Sequence, residues 1–280
     1  MKMDLHVHST ASDGRFSPQE LVSMAARSGL EIIAITDHDS VEGSAPALKT
    51  AQEFHPLKVI PGVEVSTDVP HGEVHILGYF LDCSNPELKE ALEKLRNSRR
   101  VRAQRMLVKL DSLGIKVEWE RVQKIAGAGS IGRPHIAQAM LEQGYVFSIK
   151  EAFVKYIGRD GPAYVEREKM TPPQAVELIV KAKGLPVLAH PANIDNLEEL
   201  IPELQKVGLV GLEAYYNNYS RKLIRHLASL AHKYGLIATG GSDYHGLDDI
   251  SETPLGGVNI PSECAKQLFT IAEQRAVLTQ

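Results

Sequence analysis

The chain is poor in cysteine, in long apolar runs and in excess basic charge, and each shortage argues against a class of protein. Only two cysteines occur among the 280 residues, Cys83 and Cys264, and no CxxC spacing is present. This usage fits free thiols in a reducing compartment, so we predict a cytoplasmic protein. No stretch approaches the ~18 consecutive apolar residues of a membrane span, and the N-terminus lacks the apolar segment of a secretion signal. We therefore expect no membrane partner.

The net charge of −4 argues against a surface devoted to long nucleic acid, because such surfaces are basic. A small anionic substrate is still compatible with this charge, since bound metal ions add positive charge that the residue count omits. The composition is otherwise ordinary, with 43% hydrophobic and 24% charged residues. A chain of this length and composition is expected to fold around one large core or two modest ones.

Apolar, strand-like runs alternate with helix patterns towards both ends of the chain. Two helix patterns begin at capping boxes that include proline, SPQE at 17–20 and TPPQ at 171–174. A third, amphipathic helix pattern covers 220–234. The repeated order of strand and then helix predicts an α/β protein with a parallel sheet or barrel. The strand-like runs are 2–6, 31–36, 59–65, 185–189, 209–215 and 236–239.

The middle of the chain, 86–158, shows only helix patterns punctuated by glycines, which predicts a small helical insertion. Its arginine-rich run, NSRRVRAQR at 97–105, fits either a solvated helix face or the lip of an anionic-ligand site. In the segment GRPH at 132–135, Pro134 suits the first position of a helix. Arg133 and His135 then flank a helix N-terminus, where backbone N–H groups and the helix dipole favour anions. We expect a phosphate contact there.

Residues that commonly bind metals follow the apolar runs at several points. His6 and His8 are two apart, so both point to the same face of a strand and can bind one ion. The carboxyl ends of strands meet at one rim in barrel-like α/β proteins, so the candidates are expected to share that rim. Nine donors exceed the three or four that one ion takes from a protein, which implies more than one metal. The candidates are His6, His8, Asp13, His38, Glu64, His75, His190, Asp243 and His245.

The other histidines are assigned elsewhere. His226 and His232 lie six apart in an amphipathic helix pattern, and His55 precedes a proline in a loop. All three are expected on the surface. His75 lies in the strand pattern VHILGYF and is preferred as a ligand over the loop residue His71.

Five motifs resemble, in order and spacing, those of the PHP (polymerase and histidinol phosphatase) phosphoesterase superfamily. They are DLHVHSTASDG, AITDHD, PGVEVS with the later EVHILGY, LAHP and GSDYHG, and they extend from Asp4 to Gly246. The resemblance implies a distorted (β/α)7 barrel of the TIM-like kind with a trinuclear metal site at its rim. It also implies three ligand groups, of which two share a bridging Glu64. These groups are His6, His8, Glu64 and Asp243; Glu64, His75 and His190; and Asp13, His38 and His245.

The resemblance narrows to one branch of the superfamily. Asp13 stands where some members carry His, which places the chain with the Asp-bearing members. GRPHIAQAML followed by PAYV resembles the stand-alone branch of 3′,5′-nucleoside bisphosphate phosphatases and 5′-to-3′ oligoribonucleotide exonucleases, whose helical cap projects over the metal site. By that resemblance, Arg133 and His135 hold substrate phosphate. The expected division is a barrel at 1–98 and 171–280 and a cap at 99–170.

The expected reaction converts a 3′,5′-nucleoside bisphosphate to the nucleoside 5′-monophosphate, with short 5′-phosphorylated oligonucleotides as further substrates. Three divalent ions, with Mn²⁺ favoured over Fe²⁺, Zn²⁺ and Mg²⁺, would supply a bridging hydroxide that attacks phosphorus. His245 is a candidate general acid, and Asp37 and Asp39 are either acceptors for imidazole N–H groups or part of a solvated turn. Two alternatives are kept, a histidinol-phosphate phosphatase and a metal-binding structural domain without catalysis. The GRPH segment counts against the first, and the complete ligand set counts against the second.

Overall fold

The computed structural model describes residues 1–69, 72–127, 129–166, 170–247 and 252–278, so His71 lies outside the described residues. Within them, seven strands form one sheet whose order follows the chain. A parallel bridge between Val7 and Tyr244 joins the first strand to the segment after the last, so the sheet nearly closes and the predicted α/β barrel is confirmed. The strands are β1 Met3–Val7, β2 Ile32–Ile35, β3 Lys58–Val69, β4 Gly72–Tyr79, β5 Leu185–Leu188, β6 Gly211–Tyr216 and β7 Ile237–Gly241.

Strand β4 runs antiparallel to both of its neighbours, whereas the other neighbouring pairs are parallel. Val69 pairs with Gly72, so only two residues connect β3 to β4. A parallel connection needs a crossover of about a dozen residues or more, while an antiparallel pair needs only a short turn. The short connection therefore explains this departure from the expected parallel arrangement.

Helices cover the sheet and form a bundle in the middle of the chain. The capping boxes predicted at Ser17 and Thr171 begin the first and the seventh helix. No helix among the described residues is long and apolar enough to cross a membrane. The α-helices of the described residues are α1 Pro18–Arg27, α2 Ser44–Ala51, α3 Pro86–Ser112, α4 Trp119–Ala126, α5 Arg133–Glu142, α6 Ile149–Ala152, α7 Pro172–Lys181, α8 Leu197–Lys206, α9 Arg221–Lys233 and α10 Ser262–Leu278.

The two faces of the sheet pack into different clusters, as the alternation of side chains in β2 shows. Ile32 and Ala34 belong to a cluster that includes buried residues of α10. Ile33 and Ile35 point the other way, into a cluster with residues of α1 and α2. Both faces of β2 are thus buried, which accounts for its unbroken apolar sequence.

The helical insertion has a hydrophobic core of its own, built from α3 to α6 and a π-helical turn at Phe153–Ile157. Helix α3 links this core to the barrel, because Leu88 and Leu92 pack with the barrel cluster while Met106 and Leu110 pack with the insertion. It is one uninterrupted helix of 27 residues, so the expected boundary between 98 and 99 lies inside it. The division of the chain at 99 and 170 stays a prediction.

Candidate metal centre

The nine predicted ligands come together at one end of the barrel. Three belong to strands, His6 in β1, Glu64 in β3 and His75 in β4, and the other six follow the carboxyl ends of β1, β2, β5 and β7. The hairpin explains how β4 contributes although it runs in the opposite direction, because its first half pairs with the second half of β3. All nine side chains thus reach one cluster, and their role as metal ligands is still a prediction.

The Glu64 carboxylate lies at the middle of this cluster. Its Oε2 atom is 3.3 Å from Nε2 of His6 and 3.3 Å from Nε2 of His8. The same oxygen is 2.9 Å from Nδ1 of His38. One carboxylate oxygen therefore faces three imidazole nitrogens, which is more than hydrogen bonding within the protein requires.

The other oxygen of Glu64 faces a second set of imidazoles. Oε1 lies 2.8 Å from Nδ1 of His75 and 3.0 Å from Nε2 of His190. A carboxylate whose two oxygens point to separate sets of nitrogen donors can contribute one oxygen to each of two ions. This geometry suits the bridging role that the family resemblance implies.

Two aspartates complete the cluster from opposite sides. Asp243 Oδ1 lies 2.9 Å from Nε2 of His8. Asp13 Oδ1 lies 3.5 Å from Nε2 of His245, and Asp13 Oδ2 lies 4.0 Å from Nε2 of His38. Asp243 has a φ of 55°, in the left-handed region that residues other than glycine rarely adopt. Backbone strain of this kind is often found at functional sites.

Among the described residues, distances between potential ligand atoms define three overlapping groups, which contain eight of the nine donors. The group around Glu64 and Asp243 contains the residues that the resemblance implies. In the second group, His8 joins the three expected residues. In the third, His38 stands where His190 was expected, although Nε2 of His190 also contacts Glu64. The groups are His6, His8, Glu64 and Asp243; His8, Asp13, His38 and His245; and His38, Glu64 and His75.

The donor atoms fit divalent ions. A buried polar atom without a hydrogen-bond partner costs about 1 to 3 kcal/mol, so a cluster of them is costly unless they bind something else. The separations of 2.9 to 3.3 Å measured above match the about 3.0 to 3.4 Å expected between ligands that share an ion through bonds of about 2.1 Å. The buried donors without a well-aligned hydrogen bond are His6 Nε2, His8 Nδ1 and Nε2, Asp13 Oδ1, His38 Nδ1, Glu64 Oε2 and Asp243 Oδ1.

Electrostatics keeps the carboxylates of the cluster ionised but does not keep every imidazole neutral, because the facing carboxylates, acting against burial, raise the pKa of His6 and His8. Burial alone would raise the pKa of Asp243, but the facing His6 and His8 hold that pKa well below its usual range. Burial lowers the pKa of His38 to about 4, against the attraction of Glu64, which keeps this imidazole neutral. Ionised carboxylates and neutral imidazoles are the forms that act as ligands.

Glu213 is a residue of the site that the sequence analysis did not identify. It is fully buried in β6, and its Oε1 accepts a hydrogen bond from Nδ1–H of His6 at 3.1 Å. Its Oε2 accepts from the backbone N–H of His190 at 2.8 Å. The first bond keeps the His6 proton on Nδ1 and presents the lone pair of Nε2 to Glu64. The sequence signal that could have identified Glu213 is that it is the one acidic residue inside the apolar run 209–215.

Hydrogen bonds also orient the two ligands that follow β7. Tyr216 donates a hydrogen bond from its hydroxyl group to Asp243 Oδ2 at 2.6 Å, which leaves Oδ1 facing the cluster of predicted ligands. His245 donates from Nδ1–H to the carbonyl oxygen of Asp243 at 2.8 Å, so its Nε2 faces Asp13. Both ring nitrogens of His245 are engaged in this way. The geometry therefore favours His245 as a ligand over the candidate role of general acid.

Asp37 and Asp39 are fully buried, which excludes the solvated turn that the sequence left open. Asp37 accepts from the backbone N–H of Ser9 at 2.7 Å and from the Ser12 hydroxyl at 2.7 Å, so it braces the loop between β1 and α1. These hydrogen bonds of Asp37 go to Ser9 and Ser12, and the alternative that it accepts from an imidazole N–H stays a prediction. Asp39 accepts from Nε–H of Arg99 at 2.6 Å and therefore ties the segment after β2 to helix α3.

A cavity of about 180 Å³ opens beside the cluster, and three arginines line it. Arg99 and Arg102 are only 6% and 5% exposed, whereas Arg100 and Arg105 of the same run are exposed. The arginine-rich run therefore divides between a solvated face and a buried face that reaches the cavity. Four predicted ligands line the same cavity. The arginines of the lining are Arg99, Arg102 and Arg133, and the predicted ligands are Asp13, His38, His75 and His245.

Arg133 and His135, the predicted phosphate contacts, occupy different positions. Arg133 lines the cavity, with its guanidinium carbon 5.5 Å from the ring centre of Phe153 and 5.7 Å from that of Tyr164. His135 is buried outside the lining, and its Nδ1 accepts from the backbone N–H of Gly132 at 2.9 Å. Burial lowers the pKa of His135, so the neutral ring carries its proton on Nε2. The phosphate role of both residues is still a prediction.

Comparisons with known proteins agree with this geometry. The PHP domain family model matches residues 4–239. The 5′-3′ exoribonuclease Rnm of Escherichia coli is 34% identical over 247 residues, covering 86% of this chain and 84% of the relative. A 3′,5′-nucleoside bisphosphate phosphatase of Chromobacterium violaceum is 33% identical over 248 residues, covering 87% of each. A phosphoribosyl 1,2-cyclic phosphate 1,2-diphosphodiesterase of Eggerthella lenta is 31% identical over 268 residues, covering 92% of this chain and 99% of the relative.

Two solved structures share the whole fold. A Bifidobacterium adolescentis protein, provisionally named a metal-dependent phosphoesterase, is 27% identical with a TM-score of 0.88 and covers 96% of this chain and 95% of its own. An amidohydrolase of Chromobacterium violaceum, solved with bound sulfate and no metal, is 31% identical with a TM-score of 0.88. The match covers 98% of this chain and 97% of the amidohydrolase. The motifs, the clustered donors and these similarities lead to one conclusion: the chain belongs to the PHP domain family.

Proposed function

We propose that the protein is a metal-dependent phosphoesterase that converts a 3′,5′-nucleoside bisphosphate to the nucleoside 5′-monophosphate. Short 5′-phosphorylated oligonucleotides are proposed as further substrates. The observation that carries the proposal is the cluster around Glu64, which adjoins a cavity lined by three arginines. A cavity lined by both proposed metal ligands and arginines suits a phosphate group. Relatives named as an exoribonuclease and as a nucleoside bisphosphate phosphatase support this substrate class.

Divalent ions are the proposed cofactors, three per chain, one for each donor group. Mn²⁺ is the first candidate, with Fe²⁺, Zn²⁺ and Mg²⁺ as alternatives, because mixed nitrogen and oxygen donors accept all four. When bound, such ions lower the pKa of a water molecule towards neutrality and withdraw charge from a phosphoryl group. The proposed ligands are His6, His8, Asp13, His38, Glu64, His75, His190, Asp243 and His245.

Binding and orientation of the phosphate are proposed for side chains of the insertion. Arg99, Arg102 and Arg133 line the cavity and can donate charge-assisted hydrogen bonds to phosphate oxygens. His135 would add a donor through Nε2–H, since its Nδ1 already accepts from the backbone. A well-placed donor that meets developing charge is typically worth about 3 to 4 kcal/mol.

Charge and cysteine usage extend the proposal to substrate size and location. The net charge of −4 and the cavity of about 180 Å³ favour a mononucleotide, or the end of a short strand, over long nucleic acid. Cys83 and Cys264 are both free thiols in the structure, which supports a cytoplasmic location.

A substrate screen with controlled metal content tests the proposal. Metal-free protein, with and without added Mn²⁺, would be given a nucleoside 3′,5′-bisphosphate, a 5′-mononucleotide, a short 5′-phosphorylated oligonucleotide and histidinol phosphate. We expect release of the 3′-phosphate from the bisphosphate only when metal is restored. Full activity in a preparation that elemental analysis shows to be metal-free would overturn the proposal. Hydrolysis of histidinol phosphate alone would favour that alternative, and metal binding without any hydrolysis would favour a structural domain.

A further inference from the structure

A second and wider cavity of about 690 Å³ opens beside the metal centre. Asp243 and His245 line it together with Leu141, Phe147 and Ile149 of the insertion, and its charged lining residues also include Lys150 and Glu252. We name it the α5–α6 groove. Its His245 also lines the arginine-lined cavity, so the two spaces adjoin at the metal centre. One space is small and cationic, and the other is larger and mainly apolar.

Phe147 is the most exposed large apolar side chain of the described residues, at 93%. It precedes Ser148, the N-cap of α6, and a residue in that position often packs on the fourth helical residue, here the buried Ala152. An exposure of 93% shows that Phe147 makes no such contact. Its backbone is nevertheless held, because its N–H donates to the Glu151 carboxylate at 2.6 Å. The backbone of Phe147 is therefore fixed beside the groove, and its aromatic ring is open to a ligand there.

Resting on the proposed function, we infer that the α5–α6 groove binds the nucleobase of the substrate and that Phe147 is its stacking surface. A single exposed apolar residue is ordinary on a protein surface, so the position of this one carries the argument. A ligand that reaches from a cationic phosphate cavity into an adjoining apolar groove needs a charged end and a flat apolar body. A nucleotide has this shape, and a groove of about 690 Å³ lies in the size range of small-molecule sites.

Stacking has a consequence for specificity. Every base has an aromatic face, so a stacking surface tolerates all four bases. We therefore expect similar kcat/KM values for the four nucleoside 3′,5′-bisphosphates. Substrates that carry the same phosphates without a base should be hydrolysed with a much lower kcat/KM.

The test compares Phe147→Ala with the wild-type enzyme on adenosine 3′,5′-bisphosphate and on a base-free deoxyribose 3,5-bisphosphate, both with Mn²⁺. We expect kcat/KM for the nucleotide to fall about 5- to 160-fold, the range that corresponds to about 1 to 3 kcal/mol of stacking. The kcat/KM for the base-free substrate should be the same in Phe147→Ala and in the wild type. Phe147→Tyr should retain the nucleotide activity. Val108→Ala is the matched control, since Val108 is 69% exposed on α3 and lines neither cavity.

Binding of adenosine 5′-monophosphate, measured by calorimetry on the same proteins, separates this inference from the proposed function. A Kd that rises 5- to 160-fold in Phe147→Ala supports the groove even if no phosphate ester is hydrolysed. Equal Kd values in the wild type and Phe147→Ala overturn it, as does an equal loss on the nucleotide and on the base-free substrate. Hydrolysis of the base-free substrate by a wild-type enzyme that does not bind the monophosphate would also refute the groove, while the phosphoesterase proposal would stand.

Discussion

Replacing Glu213 by Gln tests whether this carboxylate sets the protonation of His6, a proposed metal ligand. Its two oxygens accept from Nδ1–H of His6 and from the backbone N–H of His190, at 3.1 and 2.8 Å. A Gln side chain offers one acceptor and one NH₂ donor. If its oxygen keeps the bond to His190, its NH₂ group faces His6 Nδ1, which must then carry the lone pair. The proton moves to Nε2, the atom that faces Glu64 and Asp243, and one ligand is lost.

The opposite orientation of the amide is no better. The Gln oxygen would accept from His6, and the NH₂ group would then face the N–H of His190, which leaves buried donors without an acceptor at a cost of about 1 to 3 kcal/mol. Either orientation breaks one of two bonds that hold ligand-bearing segments. Loss of a partner that orients a metal ligand typically lowers metal affinity or activity by about 10- to 100-fold. We expect Glu213→Gln to weaken Mn²⁺ binding by a factor in this range.

The assay is a calorimetric titration of metal-free protein with Mn²⁺, followed by kcat/KM at limiting and at saturating Mn²⁺. Activity should recover at least in part at saturating metal, because the lesion is in affinity. Glu263→Gln is the matched control, since Glu263 is exposed in an ion pair with Lys266 on α10. Wild-type Mn²⁺ affinity in Glu213→Gln would refute the reasoning. A lower Tm with unchanged affinity would assign Glu213 a structural role only.

Four further predictions concern the metals, their ligands and the arginines. Adding Mn²⁺ at about 100 times its Kd to metal-free protein should stabilise it by about 2.7 kcal/mol per site, or about 5 to 11 °C in Tm, and an unchanged Tm would contradict this. Arg133→Ala should lower kcat/KM for a nucleoside 3′,5′-bisphosphate about 10- to 150-fold but affect a small aryl phosphate far less, whereas an equal loss on both would place Arg133 at the scissile phosphate. Arg99→Ala removes the cation that faces buried Asp39, so denaturant titration should show a loss of about 3 to 5 kcal/mol, and a loss below about 1 kcal/mol would argue against a structural ion pair. Single ligand-to-Ala variants should lose most of kcat while circular dichroism stays native, and wild-type rates in all of them would mean that the site is misplaced. The ligand variants are Asp13→Ala, His190→Ala and Asp243→Ala.

The positions of the proposed ligands were predictable because local sequence and topology agree on them. His38 and His190 each follow a short apolar run, and parallel strands deliver their carboxyl ends to one rim of the barrel. Glu64 lies within its run, and β4 delivers His75 to the same rim through the hairpin. The capping boxes at Ser17 and Thr171 were equally local and were confirmed. What these signals do not contain is the distance between residues of different strands, so the grouping of His38 in place of His190 needed the structure.

Residues that act through tertiary contacts gave weaker signals. Glu213 belongs to no motif, and only its burial beside His6 identifies it. Arg99 and Arg102 lie in a charged run, but they also continue the buried heptad positions of α3 that include Leu92 and Leu95. An arginine in an apolar stripe is a usable signal. Whether such an arginine faces solvent or a cavity depends on what packs against its helix. Arg99 and Arg102 of α3 face the cavity beside the candidate metal centre.

Hydrogen bonds and an ion pair join the insertion to the candidate metal centre, and they limit the movement of Arg99. Arg99 holds Asp39, and the backbone N–H of Asp39 donates to the carbonyl oxygen of Glu64 at 2.9 Å. From the other side, the backbone N–H of Ser130 donates to the carbonyl oxygen of Ala11 at 3.2 Å, in the loop that carries Asp13. Arg99 is therefore fixed relative to Glu64, and the insertion relative to the loop of Asp13.

The charge of the proposed metal centre favours a dianionic group in the adjoining cavity. The three proposed carboxylate ligands carry only half of the negative charge that would neutralise three divalent ions, so a loaded centre is net positive. Arg99, Arg102 and Arg133 line the cavity of about 180 Å³ beside it, and the charge of Arg99 is already paired with Asp39. A phosphate monoester, with two charges, offsets the net positive charge of the loaded centre better than a diester with one. We therefore expect kcat/KM to be higher for a terminal phosphate than for an internal phosphodiester, and equal values for matched mono- and diester substrates would contradict this electrostatic argument.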